Sequence, residues 1–303
     1  TSGVINLDSV QGNVLSANNL TIEGRLTANA NSVITVSGNW LRDRLTGRFE
    51  SRGSQVVFAG GNASLDLRNN FENAHAEYFD RVVLSKSLPD AVLQSRTPVI
   101  IGRKLDLYIG RFQTSAVTLL TIANAGSDSE TDGITLKQFS NQEVKAMIEG
   151  PVKRLTQANG SYIFPVGIWH NGQALYKACY LTDVNAADSF LVAYNAAVPP
   201  GRGANNAYGF FQDRLMGIRN NEYWQIDRMG QTAAAKVVLP YTVPATPNAW
   251  LALDGGAITP ENPDQVEVWV VKCKQGGQVW DFAGEYGAQQ NNESISPQVA
   301  SLT

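Results

Sequence analysis

Val33-Ile34-Thr35-Val36-Ser37-Gly38-Asn39-Trp40 is followed by Gly53-Ser54-Gln55-Val56-Val57-Phe58-Ala59-Gly60, and the two stretches share one grammar. Each is a strand-length run of β-branched and aromatic residues closed by glycine or asparagine, the chemistry of a strand that ends in a tight corner. The pattern extends in both directions. Leu20-Thr21-Ile22 precedes it, and Val82-Val83-Leu84, Val99-Ile100-Ile101, Leu105-Asp106-Leu107-Tyr108-Ile109 and Leu119-Leu120-Thr121-Ile122 follow. Corners such as Gly60-Gly61-Asn62 and Asn69-Asn70 separate them. The best helical candidate, Phe71 to Phe79, holds enough small and polar residues to read as a loop. Such runs bury their apolar faces either by coiling into a parallel solenoid or by pairing into a sandwich. A solenoid usually repeats every ~20–30 residues, whereas these runs start at irregular intervals. Asparagine-rich, weakly charged strands with glycine corners favour the coil, so a β-solenoid, β-helix-like, is expected over residues 1–148.

Beyond residue 148 the chemistry changes. Of the 27 aromatic residues, 18 lie in 151–303, together with five of the six tryptophans and both cysteines. A different core composition on the two sides argues for two domains. The strands here are longer and alternate: Tyr162, Phe164 and Val166 share one face, as do Phe190, Val192 and Tyr194, and as do Trp224 and Ile226. Val266 to Cys273 is apolar on both faces, as a central strand would be. Pro199-Pro200-Gly201 and Thr259-Pro260-Glu261-Asn262-Pro263 interrupt the series. An antiparallel β-sandwich is expected over 149–303, making the chain all-β.

Composition narrows function. The chain has 303 residues, 17% charged and 43% hydrophobic, which argues against disorder. A formal charge of −3 gives no footprint for nucleic acid, and the apolar runs are too short for a membrane-spanning helix. No signal peptide is read at Thr1-Ser2-Gly3, which is expected to be either an artificial start or the start of an already processed chain. Two histidines and two cysteines leave little material for a metal centre or a catalytic triad.

Three phrases occur in order: Gly150-Pro151-Val152-Lys153-Arg154, Gly160-Ser161-Tyr162-Ile163-Phe164-Pro165-Val166-Gly167, and Glu222-Tyr223-Trp224-Gln225-Ile226-Asp227-Arg228. Together they resemble a module of large secreted and surface proteins of Bacteroidota bacteria exported by the type IX secretion system. Thr35 to Trp40, Gly53 to Gly60 and Glu77-Tyr78-Phe79-Asp80-Arg81-Val82-Val83-Leu84 are similar to repeats that precede that module. The resemblance spans roughly residues 30–285 and implies an extracellular or cell-surface structural protein: an adhesin, a gliding-associated component or a filament subunit. It implies no catalytic residues. Such proteins commonly end in a separate sorting domain, and Ser294 to Thr303 is too short to be one.

Candidate chemistry is sparse. Gly126-Ser127-Asp128-Ser129-Glu130-Thr131-Asp132-Gly133 places Asp128, Glu130 and Asp132 at alternate positions before a glycine, a spacing that lets oxygens converge on calcium. The twelfth loop position would be Phe139 rather than glutamate, and a solvated acidic turn is the plainer alternative. No other cofactor is expected. His75 and His170 read as surface or loop residues, with no Gly-x-Ser-x-Gly elbow to serve. Trp169, in Gly167-Ile168-Trp169-His170-Asn171-Gly172, is the best candidate for an exposed ligand contact, against core or edge packing. Cys179 and Cys273 sit in two expected strands and either form one disulfide or remain two buried thiols. The functional expectation is therefore a non-catalytic surface protein that self-associates or holds other surface proteins. Its N-terminal Ser2-Gly3-Val4-Ile5-Asn6-Leu7 would be available as an added strand. The alternatives are a module that binds or cleaves polysaccharide and a viral or phage-like fibre.

Overall fold

The computed structural model describes residues 4–7, 13–139, 144–197, 223–230 and 233–239, and the backbone alone for 271–273, 280–282 and 300–302. The protein is all-β: a parallel β-solenoid passes into antiparallel sheets.

The solenoid has three faces. On the first, Val14–Ala17, Val33–Val36, Gln55–Phe58, residues 81–84, residues 104–107 and Gly133–Leu136 stack in parallel. Their inward positions form two ladders in register. One is Leu15, Ile34, Val56, Val82, Leu105 and Ile134; the other is Ala17, Val36, Phe58, Leu84, Leu107 and Leu136. From Ile34 and Val36 up to Leu105 and Leu107 these side chains are at most 1% exposed. Each such burial is worth about 1.5–3 kcal/mol, which is what closes the coil.

The second face stacks Leu20–Ile22, Trp40–Asp43, Ala63–Arg68, Val92–Ser95, residues 111–113 and Lys145–Glu149. The third carries Val4–Asn6, Arg25–Thr27 and Arg48–Glu50 as one stack, then residues 77–79, 99–101, Leu120–Ile122 and Val152–Thr156 as another. Where the third face changes stacks, Trp40 fills the interior. Its ring meets Phe49 at 5.0 Å, Phe79 at 5.1 Å and Phe58 at 6.2 Å, all edge to face.

Corners between the first and second faces are tied by asparagine. Asn19 Oδ1 accepts from Asn39 N at 2.8 Å, and Asn39 Oδ1 accepts from Ser64 N at 2.8 Å. Asn62 Oδ1 accepts from Val92 N at 2.9 Å. Each carboxamide satisfies a backbone donor of the next coil that the corner would otherwise leave without a partner. The expected helix-or-loop at Phe71 is one 3-10 turn, Phe71–Asn73, ahead of strand Glu77–Ser85. The two runs read separately at Val99 and Leu105 are one strand, Val99–Gln113, bent round two corners, with Gly110 at φ +104° in the second.

The passage to the second region has no break. Val152–Thr156 pairs in parallel with Leu120–Ile122 on one side and antiparallel with Asp188–Asn195 on the other, and the latter pairs with Tyr223–Arg228. A second antiparallel sheet holds Tyr162–Phe164, Cys179–Thr182, Ala235–Val238 and Ala300–Leu302. Phe164, Cys179, Leu181 and Val237 from this sheet share one core with Phe190 and Val192 from the first, completing the sandwich. Trp224 is partly buried there, its Nε1 donating to Lys177 O at 2.9 Å. The expected central strand 266–273 lies outside the described residues except for the backbone of Val271–Cys273. The N-terminal segment expected as an added strand is already a strand of its own chain: Val4–Asn6 pairs in parallel with Arg25–Thr27.

Candidate functional site

The acidic loop sits where the last solenoid coil meets the sandwich, and its carboxylates do not converge. Asp128 faces Arg154, with Nη2 2.8 Å from Oδ1 and Nη1 2.9 Å from Oδ2. Asp128 also accepts from Ile134 N at 2.6 Å and Ile163 N at 2.7 Å. Asp132 accepts from Thr131 Oγ1 at 2.7 Å, Asn124 Nδ2 at 2.9 Å and Arg103 Nε at 3.1 Å. These hydrogen bonds, the one from Thr131 foremost, hold its carboxyl below the ordinary range. Glu130 points to solvent. The cation among them is a side chain: the ammonium of Lys104, on the coil beneath, donates to Ser129 O, Asp132 O and Thr135 Oγ1. No group of three or more histidine, cysteine or acidic residues placed to hold a metal occurs among the described residues. The spacing that suggested calcium instead wraps a lysine and an arginine.

Arg154 is the centre of this junction. Its side chain has no exposure and lies at the end of the inward ladder Phe79, Ile101, Ile122. The guanidinium carbon stands 5.0 Å from the Tyr162 ring centre and 5.8 Å from that of Phe164, and Nη1 donates to Ile163 O at 2.8 Å. Gly133, at φ +78°, makes room for the pair: a Cβ there would lie 2.3 Å from Asp128 Oδ1 and 3.0 Å from Arg154 Nη2. Sequence reading passed over Arg154, although alternation in Val152–Thr156 puts it on the same face as Val152.

Other buried charges were also unforeseen. Arg42 Nε meets Glu77 Oε2 at 2.8 Å inside the coil, and desolvation pushes the Glu77 carboxyl upward. Lys86 is 2% exposed, donates to Ala59 O at 2.6 Å, and burial lowers its amine to about 8.

Trp169 lies on the hairpin Gly167–His170/Gln173–Tyr176, half-buried, with the Arg111 guanidinium 5.5 Å from its ring centre. Arg111 is itself fixed by Glu149 at 2.6 Å and by Asp90 O at 2.8 Å. His170 is exposed on the same hairpin beside Asn171, whereas His75 meets Arg44 at a solenoid corner. The two imidazoles serve separate places. Cys179 is a buried free thiol whose pKa burial raises; the side chain of Cys273 lies outside the described residues.

No helix among the described residues is long and apolar enough to cross a membrane. Comparison of the chain with protein-family models, curated proteins and solved structures returns no match.

Proposed function

We propose that this chain is a non-catalytic structural protein of the cell surface or extracellular space, acting as an adhesin or a self-assembling filament subunit. The observation that carries the reading is the continuity of one sheet. Hydrogen-bonded neighbours run from Val14–Ala17 through the solenoid to Val152–Thr156 and on to Tyr223–Arg228. Such a body transmits force through backbone ladders and presents flat faces and strand edges to other surfaces. The ordered resemblance to type IX-exported surface proteins points the same way. Among the described residues, Tyr223–Arg228 pairs on one side only, which offers an edge for addition of a strand from a second copy.

Negative-stain microscopy of the full chain, with light scattering over a concentration series, tests the proposal. Filaments or concentration-dependent oligomers support assembly, and monomeric particles coating immobilised cells support an adhesin. Particles that neither associate nor adhere overturn both forms. Removing residues 1–10 tests the N-terminal route separately. Because Val4–Asn6 is engaged in its own chain, association that survives the deletion excludes that segment as the exchanged strand.

One observation favours a carbohydrate-binding reading: the half-buried Trp169 is held by Arg111 on a hairpin. Loss of glycan-array signal in Trp169→Ala would support it, and an array without signal for the unaltered chain would remove it.

A further inference from the structure

The sequence holds two Asn-Gly pairs, Asn159-Gly160 and Asn171-Gly172, and the fold treats them in opposite ways. In such a pair the glycine nitrogen can attack the asparagine's own side-chain amide, because glycine has no Cβ to shield it. Both asparagines are exposed and left-handed, with φ +62° and +49°. Exposure of the asparagine therefore does not separate the two pairs. The surroundings of the glycine do.

Gly160 is buried, and a Cβ built on it would run into the Tyr162 ring. That ring is itself fixed: its hydroxyl donates to Ala125 O at 2.8 Å and accepts from Gln157 N at 2.8 Å. Asn159 N donates to Val184 O at 2.6 Å. The first pair is clamped on both sides, and its peptide cannot turn toward the carboxamide without breaking these contacts. Asn171-Gly172 is instead the two-residue tip of the hairpin that joins Gly167–His170 to Gln173–Tyr176. Gly172, at φ +77°, is exposed, and a Cβ built on it would meet nothing within 4 Å. Beside it, His170 Nε2 lies 3.0 Å from Asn171 Nδ2, the atom that must leave when the amide is attacked.

We propose that Asn171 is a site of self-modification, converted to aspartate or β-linked isoaspartate with His170 as the proton donor. Gly172 N gives its proton to solvent and forms a bond to Asn171 Cγ. The Cγ–Nδ2 bond breaks, and the nitrogen departs as ammonia with a proton handed over by the His170 imidazolium, which solvent then restores. Water opens the resulting five-membered imide at either carbonyl, so the net exchange is one water taken up for one ammonia released. Either product places a carboxylate at the hairpin tip, two residues from Trp169. The β-linked product also adds a backbone atom to a loop that two residues just span. The reaction is independent of adhesion or assembly, since it needs only the hairpin and water.

The test follows the full chain at physiological temperature and neutral pH. Peptide mass mapping at intervals reads the exchange of amide for acid at each asparagine. Asn171 is expected to react about tenfold faster than Asn159, the effect of roughly 1.4 kcal/mol on the barrier. His170→Gln keeps a polar side chain at an exposed position but cannot deliver a proton as an imidazolium does. It is expected to slow Asn171 severalfold near about pH 6 and little near about pH 9, where imidazoles are ordinarily neutral. Circular dichroism checks that the variant is folded, and Asn159 in the same sample is the internal reference. Asn159 reacting as fast as Asn171, or no reaction at Asn171, would overturn the proposal. Equal rates with and without His170 at both pH values, or an equal loss at both, would overturn the assignment of its imidazole as proton donor.

Discussion

Two inward ladders of the solenoid finish differently. On the first face Ile34, Val56, Val82, Leu105 and Ile134 are hydrocarbon at every rung, while on the third face Phe79, Ile101 and Ile122 lead to Arg154. Hydrocarbon suffices where each coil stacks on another of the same kind. At the last coil the neighbour is the strand Tyr162–Phe164, whose backbone must be met as the fold changes from parallel to antiparallel pairing. One guanidinium reaches Asp128, Ile163 O and two aromatic rings from a single position, a set that no aliphatic side chain could satisfy. The first-face ladder is thus held by repetition, and the junction by a charge network centred on Arg154.

The largest expected effect lies at that junction. Arg154→Met leaves Asp128 and Ile163 O without their cationic partner, and breaking a buried pair from one side costs about 3–5 kcal/mol. Urea unfolding of Arg154→Met, Asp128→Asn and the double variant measures it. The double variant should recover part of the loss, because the charge left stranded by the first substitution is then gone. A single-variant cost below about 1 kcal/mol would erase the contrast between the junction and the rod.

Leu105→Ala removes one rung of the hydrocarbon ladder and should cost about 2–5 kcal/mol, whereas the same change at Leu15 should cost well under half as much. Leu105 has no exposure; Leu15, on the first rung, is only partly buried. Equal costs would mean that the end rung is as enclosed as the middle. Thermal melts of the two variants decide this.

These contrasts also show what the amino-acid order made legible. The runs Val33–Val36 and Val56–Phe58 are strands because β-branched residues and glycine corners act over a few residues. The solenoid's period was obscured by its own corners. Val14, Val33, Gln55, Arg81, Lys104 and Gly133 are stacked partners, so successive coils take 19, 22, 26, 23 and 29 residues. Core length stays fixed while the loops vary, and no fixed period survives that. The acidic loop misled for a different reason. Alternate carboxylates suggest a metal only if nothing else claims them, and their claimants, Lys104 and Arg154, come from distant points in the chain. Trp169, expected in a loop over Gly167 to Gly172, lies in a strand of a hairpin, and its partner Arg111 lies on another coil. Long-range pairing of charge was the part that local pattern did not carry.

Lys86 sharpens the comparison within the rod, since it is a charge buried where the other corners use asparagine. Burial lowers its amine from 10.5 to about 8 in the folded chain. The neutral form is favoured by folding, so its stability contribution is complete above the unfolded pKa and is lost as pH falls toward about 8. The change across that window is on the order of 2–3 kcal/mol. Lys86→Met removes the titration, so the difference in urea midpoint between it and the unaltered chain should shift in favour of the unaltered chain from pH 8 to pH 10.5. A constant difference across that window would show that the amine reaches water.

The smallest expected effect is calcium's on the loop at the junction. Lys104 already places a positive charge among Ser129 O, Asp132 O and Thr135 Oγ1, and Asp128 is committed to Arg154. A divalent cation entering there would have to displace an ammonium and separate a salt bridge, with Asp132, the exposed Glu130 and Asp106, whose Oδ1 lies 4.0 Å from the Lys104 ammonium, as further charged oxygens. Hard cations need six to eight oxygens, so the exchange is unfavourable. Millimolar calcium should therefore move the melting temperature by less than about 1 °C, against the several degrees that a tight site would give through mass action. Lys104→Met separates occupancy from geometry. If the ammonium alone excludes calcium, the variant gains calcium-dependent stability; if the carboxylates are misplaced, as their separate partners imply, it loses stability and calcium does not restore it. The second outcome makes the loop a joint between the two kinds of sheet, built on the same use of side-chain cations as Arg154.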